Sequence, residues 1–455
     1  MLTFLAALTL AQTNPTPPPP QEIVQPQEVR PLPGQLDAVP VFNSNSPELV
    51  GGEGILLSTF PPEGMADPAA HLNFAFSGRF DVFAHHVFRA LTPEDLRSIY
   101  IGILLHNPGD RPVTVDILQA ASYLSQPDAP FITLPAVVEN PLGTVYAGPG
   151  SRVTSDILRG RRQTEFPAQI VIPPGEDRLL MNLPIPVATL DPPLNGRSTL
   201  MRVRSNGTVY LASLALLAEV DETGAEQPPT LEAWRSLLET GRLSEPRDNP
   251  PTPLDATGEF RYGRVAGVSQ GSQWVAQVVD DAIAQTLAIP APGSAFSYGL
   301  STLARGRMGT EQSQTAPMLV RYPDTAYEAH GNYGVEYALT LPLHNPTDET
   351  QVVTLALQTA IKEDELSQDG LRFFDPPASQ TFFRGTVRFR YTDDRGLPQT
   401  RYLHLVQRRG QQEAPMVTLA MPGGDRRLVE MTFLYPPDAT PPQVLTIRTL
   451  GSQTN

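Results

Sequence analysis

The densest cluster of residues that could perform chemistry lies between residues 321 and 334. It reads Arg-Tyr-Pro-Asp-Thr-Ala-Tyr-Glu-Ala-His-Gly-Asn-Tyr-Gly. Tyrosines beside acidic, imidazole and amide groups are typical of loops that bind sugars or peptides, because the rings stack while the polar groups make directed hydrogen bonds. The alternative is a long connection that its own side chains hold in place. If the protein has a ligand site, we predict that it contains Arg321, Tyr322, Asp324, Tyr327, Glu328, His330, Asn332 and Tyr333.

A second chemical signal is the Gly-x-Ser-x-Gly spacing at Gly267–Gly271, with Ser269 at its centre. This spacing occurs in the nucleophile elbow of α/β-hydrolases, which needs a strand before the serine, a helix after it and alternating βα units around it. The chain shows hairpin signals instead of repeated βα units. We therefore predict no catalytic residue, and whether the protein is an enzyme stays open, with a non-enzyme favoured.

Metal and cofactor chemistry have little support in the sequence. The chain has no cysteine, which excludes disulfides, thiolate nucleophiles and cysteine-based metal sites. Its single lysine, Lys362, lies in an acidic run, which excludes a Walker-type loop and a Schiff base. His85 and His86 are adjacent, so in a strand they point to opposite faces and do not easily share an ion. We predict no metal site and no cofactor.

The composition favours short strands and argues against nucleic acid as a partner. The 455 residues include 49 prolines, and only 18% are charged. Proline disrupts helix interiors, so a mostly β protein of two or three domains is expected. The net charge of −15 would repel a phosphate backbone, and it also disfavours anionic lipid.

Parts of the sequence repeat in the same order. Leu105–Asp110 recurs at Leu343–Asp348, each with a His-Asn-Pro core. Pro174–Arg178 recurs at Pro422–Arg426, and a weaker match relates residues 200–204 to 445–448. Collinear matches of this kind indicate a duplicated unit of roughly 200 residues.

Local patterns predict how each copy folds. Ile101, Ile103 and Leu105 have the period-two spacing of a strand with one buried face. Turn signals at 205–207 and 393–396 predict hairpins, and Thr230–Gly241 has the N-cap and glycine stop of a helix. We expect two related β-sandwich-like halves, 36–220 and 259–450, joined by a connector at 221–258 that holds this helix.

The N-terminus predicts export. Met1–Ala11 is apolar and ends in small residues, as the final part of a signal peptide does, and it is too short to span a bilayer. Residues 12–35 are rich in proline and predict a disordered, extended spacer. We expect a mature chain in the periplasm or cell envelope, without a transmembrane span.

Several long stretches together carry a family resemblance: Pro40–Asn45, Glu53–Phe60, Gly78–His86, His106–Leu124, Tyr262–Trp274, Met318–Tyr337 and Tyr435–Arg448. With them the chain resembles a family of exported cyanobacterial proteins of unknown function. The resemblance covers about residues 30–450 and implies a location in the bacterial envelope, but it carries no activity and no catalytic residue.

These observations favour a non-catalytic binding or structural module of the envelope, with a glycan, peptidoglycan or another envelope protein as its partner. The alternative is a polysaccharide hydrolase or lyase, in which the fold brings together two carboxylates that are distant in the chain. Carboxylates paired in a cleft would favour the enzyme, and an acid-poor groove would favour the binding module.

Overall fold

The computed structural model describes residues 20–451, and within them the chain is mostly β, as predicted. The predicted signal peptide, 1–11, and residues 12–19 of the predicted spacer lie outside the described residues. The helices are α1 (Pro149–Leu158) and α2 (Leu231–Thr240), with a 3-10 turn at Pro68–Ala70. The strands are β1 (Gln21–Pro26), β2 (Glu28–Arg30), β3 (Gln35–Leu36), β4 (Pro40–Ser44), β5 (Leu49–Val50), β6 (Gly54–Ser58), β7 (Phe76–Arg89), β8 (Ile99–His106), β9 (Val113–Leu124), β10 (Val137–Glu139), β11 (Gln169–Ile172), β12 (Asp177–Ile185), β13 (Leu194–Leu217), β14 (Glu219–Val220), β15 (Glu226–Gln227), β16 (Ala266–Gln270), β17 (Gln273–Gln277), β18 (Leu287–Ala288), β19 (Ala295–Leu300), β20 (Ala316–Arg321), β21 (Glu328–Ala329), β22 (Glu336–His344), β23 (Gln351–Gln358), β24 (Gly370–Asp375), β25 (Thr381–Thr392), β26 (Pro398–Arg408), β27 (Val417–Met421), β28 (Arg426–Leu434) and β29 (Gln443–Thr449).

The C-terminal part of the chain contains a β-sandwich. One sheet has the strand order β10-β26-β25-β28-β22-β17-β3, and the other has the order β2-β19-β29-β23-β27. Buried side chains from both sheets, such as Leu341, Phe389 and Leu445, form one core between them. In β22 buried and half-buried residues alternate, as the period-two pattern of its sequence requires.

The N-terminal part is organised around the 24-residue strand β13. Its first half pairs with β7 and β9, and its second half pairs with β6 and β8. The predicted hairpin at 205–207 is wrong, because β13 continues through these residues with a bulge between Ser205 and Val209. The hydroxyl of Ser205 donates to the carbonyl of Gly207 at 2.6 Å, which satisfies that carbonyl locally while the strand changes partners.

Strands from the two predicted halves belong to the same sheets. In the larger sheet β4 pairs with β16, and in the sandwich β10 pairs with β26. The expected division into two halves at 36–220 and 259–450 is therefore not confirmed, since backbone hydrogen bonds cross it.

The spacer prediction needs correction within the described residues. Between residues 20 and 36 the chain forms three strands: β1 pairs with β24, β2 with β19 and β3 with β17. Proline interrupts these strands but does not prevent pairing, because it occurs mainly at strand ends and between the strands.

The predicted helix of the connector is confirmed as α2. The Thr230 hydroxyl caps it by accepting a hydrogen bond from the Ala233 amide at 3.2 Å. Trp234 packs on Gly102 of β8, where a Cβ would lie 2.7 Å from the indole ring. Helix α1 was not predicted; nine of its ten residues are buried between β9 and β13 on one side and β25 and β28 on the other. Tertiary packing therefore decides its conformation.

The repeated His-Asn-Pro segments have the same structural role in both copies. The Asn107 side-chain amide donates to the carbonyls of Arg111, Ile172 and Pro173 at 2.7–3.1 Å. The Asn345 side-chain amide donates to the equivalent carbonyls of Glu349, Met421 and Pro422 at 2.7–3.0 Å. Both asparagines are fully buried.

Each asparagine closes its own turn and joins it to one further chain segment. β12 and β28 are the antiparallel neighbours of β8 and β22, so the pairing around each segment repeats as well. The sequence repeat therefore corresponds to a hydrogen-bonding unit that occurs twice within the fold.

We predict that Asn107→Ala lowers the free energy of unfolding by about 1–3 kcal/mol, because the buried carbonyls lose their donor. Asn345→Ala should have the same effect. Urea titration followed by circular dichroism measures both changes. The control is Asn206→Ala, since exposed Asn206 accepts only one hydrogen bond, from the Thr114 amide at 2.8 Å. Equal losses in all three variants would contradict the structural role of the repeat.

Candidate functional site

The predicted ligand-binding cluster forms the connection from β20 through β21 to β22. Tyr322 is 1% exposed and points into the core of the N-terminal part. Its hydroxyl donates to the Ala70 carbonyl at 2.8 Å and accepts from the Ser58 amide at 3.0 Å. Burial raises the pKa of this phenol, so it stays neutral. Tyr322 thus fastens the connection to the core.

Asn332 and Tyr333 also have internal partners. The buried Asn332 side chain accepts from the Ala316 amide at 3.1 Å and donates to the Gln314 carbonyl at 2.9 Å. The half-buried Tyr333 donates its hydroxyl to the Ala439 carbonyl at 3.2 Å.

Arg321, Asp324 and Tyr327 lie nearer to the surface. Asp324 accepts two hydrogen bonds from the Arg247 guanidinium, at 2.8 and 2.9 Å. Arg321 donates to the Thr325 carbonyl at 2.6 Å and stacks on the Tyr327 ring, with 3.9 Å between guanidinium carbon and ring centroid.

Glu328 and His330 complete the cluster. Glu328 accepts from the Thr315 hydroxyl at 2.6 Å, and the His330 Nε2–H group donates to the Gly263 carbonyl at 2.8 Å. Burial lowers the pKa of His330, which favours the neutral ring.

These eight residues do not enclose a space of ligand size. Tyr327, Glu328 and His330 border an opening of about 10 Å³, and Asn332 and Tyr333 border a different one of about 10 Å³. Each opening is about the size of one water molecule. The arrangement is that of a connection held by its own side chains, and ligand binding there stays a prediction.

Ser269 does not have the geometry of a nucleophile elbow. It lies within β16, which pairs with β4 on one side and β20 on the other, and its residue is 2% exposed. The next element is the strand β17 rather than a helix.

A serine, a histidine and a glutamate do meet elsewhere, between β13 and β7. The Ser198 hydroxyl lies 2.7 Å from His85 Nδ1, and the Glu48 carboxylate lies 3.9 Å from His85 Nε2. Ser198 has no exposed surface, so a substrate has no access to its hydroxyl. The interaction is structural.

Two further histidines bind buried serines. His86 Nε2 lies 2.9 Å from the Ser44 hydroxyl, and His71 Nδ1 lies 2.8 Å from the Ser58 hydroxyl. His86 Nδ1–H also donates to the Pro47 carbonyl at 2.9 Å. Burial lowers the pKa of His86 to about 4, so the folded protein holds this ring neutral.

An opening of ligand size lies between residues 131–136, 377–384 and 406–412. We call it the basic groove; it has a volume of about 460 Å³, within the usual range of about 300 to 1,000 Å³ for small-molecule pockets. Phe131 and Ile132 are 54% and 50% exposed along one side. None of the described residues that line it is Asp or Glu.

Arg384 and Arg408 give the basic groove its charge. Within residues 20–451 neither guanidinium forms a salt bridge. The Arg384 guanidinium lies 5.3 Å from the Phe131 ring centroid, a cation–π distance. Arg384 lies on β25 opposite Val406 of β26, and Arg408 is two residues further along β26. The two arginines therefore occupy diagonal positions on one sheet face.

The wall behind Phe131 is formed by the start of α1. Gly148, at φ +87°, precedes this helix, and a Cβ there would collide with the Phe131 ring. The Asp438 carboxyl lies against the same backbone, where a Cβ on Gly148 or Gly150 would be 2.8 Å from its Oδ2 atom. Burial raises the pKa of Asp438, while His85 and Arg384 act in the opposite direction. Phe131 is thus held against a backbone surface that requires glycine.

Two other clefts are acidic. One of about 650 Å³ is lined by Glu28, Asp280 and Asp281 together with Arg30, which is paired with Glu28 at 2.8 Å. Another, of about 520 Å³, runs along α2 beside Glu232 and Glu239. The basic groove differs from both because none of the described residues that line it is acidic.

Fold and groove together define a mostly β protein with a ligand-sized, positively charged cleft. Residues 27–449 match the family model DUF3370, described as a protein of unknown function. The chain belongs to this family, and the resemblance to a family of unknown function is confirmed. Among curated proteins, none matches the chain at a significant level.

The described part of the chain shows neither a membrane-spanning helix nor a group of metal ligands. Within residues 20–451 no helix has the length and apolar character needed to cross a bilayer. In the same range no three His, Asp or Glu side chains are placed so that they could hold a metal ion.

We predict that Tyr322→Phe lowers the free energy of unfolding by about 1–3 kcal/mol, because the Ser58 amide and the Ala70 carbonyl lose a buried partner. Tyr327→Phe is the matched control: its hydroxyl makes no hydrogen bond within the described residues, and we expect a change below about 0.5 kcal/mol. Urea unfolding compares the two. A weakened ligand affinity without loss of stability in Tyr322→Phe would contradict the structural role.

We predict that the buried imidazole of His86 makes folding sensitive to acid. Its pKa is about 4 in the folded chain, against about 6.5 in an unfolded one, so between these values the unfolded chain binds more protons. The free energy of unfolding therefore falls as the pH falls from about 6.5 towards 4, by roughly 2 kcal/mol between pH 7 and pH 5.

Urea unfolding at both pH values measures this loss. His86→Asn should remove about that amount of the difference. Ser44→Ala is the control, since it breaks the hydrogen bond but retains the histidine and its pH dependence. An unchanged pH dependence in His86→Asn would contradict the assignment.

Proposed function

We propose that this protein is a non-catalytic binding module of the bacterial cell envelope, which holds an anionic ligand in the basic groove. The observation that carries the proposal is the pair Arg384 and Arg408, without salt-bridge partners among the described residues, beside the exposed ring of Phe131. The protein as a whole has a net charge of −15, so an uncompensated positive groove is a local exception.

The distribution of charge favours the binding of an anion in the basic groove. Arginine presents a rigid fork of donors that matches a carboxylate or phosphate in two hydrogen bonds. Elsewhere in the described chain many arginines use this fork internally, as Arg247 does with Asp324. Arg384 and Arg408 do not, so their donors remain available to an incoming anion. The acidic remainder of the surface would repel an anion from other sites and direct it to the groove.

A binding role is favoured over hydrolysis by the lining of the groove. Glycoside hydrolysis needs two carboxyl groups about 5 to 9.5 Å apart across the scissile bond. The described residues that line the basic groove include no carboxylate. Thr133, Ser379 and Gln412 instead offer neutral hydroxyl and amide groups, which suit recognition.

The envelope location rests on the sequence. Met1–Ala11 has the features of a signal-peptide end. We therefore propose export to the periplasm or cell envelope, with a glycan, a wall component or an envelope protein as the source of the anionic ligand.

A sedimentation assay tests this function. The chain from Gln12 would be incubated with purified peptidoglycan, envelope polysaccharides and outer-membrane fractions, and the supernatant assayed for released sugar or peptide. Retention without release is the expected result. Release that heating abolishes would replace the proposal with a hydrolase or lyase.

We predict that Arg384→Ala with Arg408→Ala abolishes retention, since a charge-assisted hydrogen bond contributes about 1.5–3 kcal/mol, or about tenfold to hundredfold in affinity per arginine. The matched control is Arg395→Ala with Arg426→Ala, which makes the same charge change on exposed residues outside the groove. The control should be retained like the parent, and retention of the parent should weaken with added salt. Equal retention of both double variants would overturn the assignment of the basic groove.

A further inference from the structure

The chemistry of the basic groove also narrows the ligand class. This step rests on the proposed function and identifies what binds at the same site. We infer that the ligand is an acidic polysaccharide, whose ring carboxylates pair with Arg384 and Arg408 while the face of one sugar ring stacks on Phe131.

The aromatic ring is the first argument. More than half of Phe131 is exposed, yet its ring is held between the Arg384 guanidinium and the backbone at Gly148. An aromatic face that is exposed but fixed loses little freedom when a flat partner covers it. The apolar C–H face of a pyranose ring is such a partner, and a phosphate chain has no equivalent surface.

The two arginines are the second observation. Arg384 and Arg408 lie on one sheet face at diagonal positions. A polysaccharide of uronic acids carries carboxylates that recur along the chain, so one molecule can pair with both arginines.

The neutral lining is the third argument. The groove is also lined by the hydroxyl-bearing residues Thr133, Ser379 and Thr381 and by Gln412. Groups that both donate and accept match sugar hydroxyls in either direction. An acidic peptide could pair with the arginines as well, but its side chains offer no apolar sugar face to cover Phe131.

Calorimetric titration of the chain from Gln12 with soluble probes tests the ligand class. The probes are polygalacturonate oligomers, neutral dextran oligomers, polyphosphate and polyglutamate. Polygalacturonate should bind at least about tenfold more tightly than the other three, which corresponds to about 1.4 kcal/mol. Arg384→Ala with Arg408→Ala should abolish this binding.

Variants of Phe131 separate stacking from charge. Phe131→Ala should weaken polygalacturonate binding about tenfold, and Phe131→Leu should weaken it similarly, because leucine keeps an apolar contact at Gly148 but offers no flat face. Polyglutamate binding should not depend on either variant. Unchanged thermal melting would confirm that both variants remain folded.

The results of these titrations distinguish the proposal of an anion-binding groove from the proposal that its ligand is an acidic polysaccharide. If polyglutamate or polyphosphate binds as tightly as polygalacturonate and Phe131→Ala has no effect, the polysaccharide assignment is wrong while an anion-binding groove stands. If none of the three anionic probes binds and no envelope fraction retains the protein, both proposals fail.

Discussion

The fold depends on the need to pair every backbone group of the long strand β13. Each half of this 24-residue strand has a neighbour on both sides. An unpaired buried amide or carbonyl costs free energy, so β6, β7, β8 and β9 must all be in register before this strand is satisfied. The bulge at Ser205 lets the strand change partners without ending. The arrangement of the N-terminal part therefore depends on all four neighbours of β13.

Those features of the fold that are encoded locally could be predicted from the sequence. Period-two apolar spacing identified β8 and β22, and the cap at Thr230 identified α2. The Asn-Gly dipeptide at 206–207 predicts a hairpin but lies in a bulge. Both structures favour the same residues, and only the pairing partners decide between them. Helix α1 has a weak helical sequence and is stabilised by the strands on both sides of it, which no local pattern reveals.

The candidate site, like α1, could not be predicted from local sequence patterns. The tyrosine-rich connection at 321–334 predicts a ligand site because its polar and aromatic residues are adjacent in the chain. In the fold, side chains of this connection form hydrogen bonds with the protein interior instead. Phe131, Arg384 and Arg408 have no sequence signal in common, and they come together only because β10 adds to the edge of β26. A site made of three distant segments can be found only once the strand order is known.

Strand pairing across the connector limits how the chain can be divided. A fragment cut at 221–258 would leave β4 without β16 and β26 without β10, so each piece would present open sheet edges. Such edges pair readily with other chains, and each fragment would tend to aggregate. Neither part of the chain could therefore be lost, or transferred to another protein, as an independent domain.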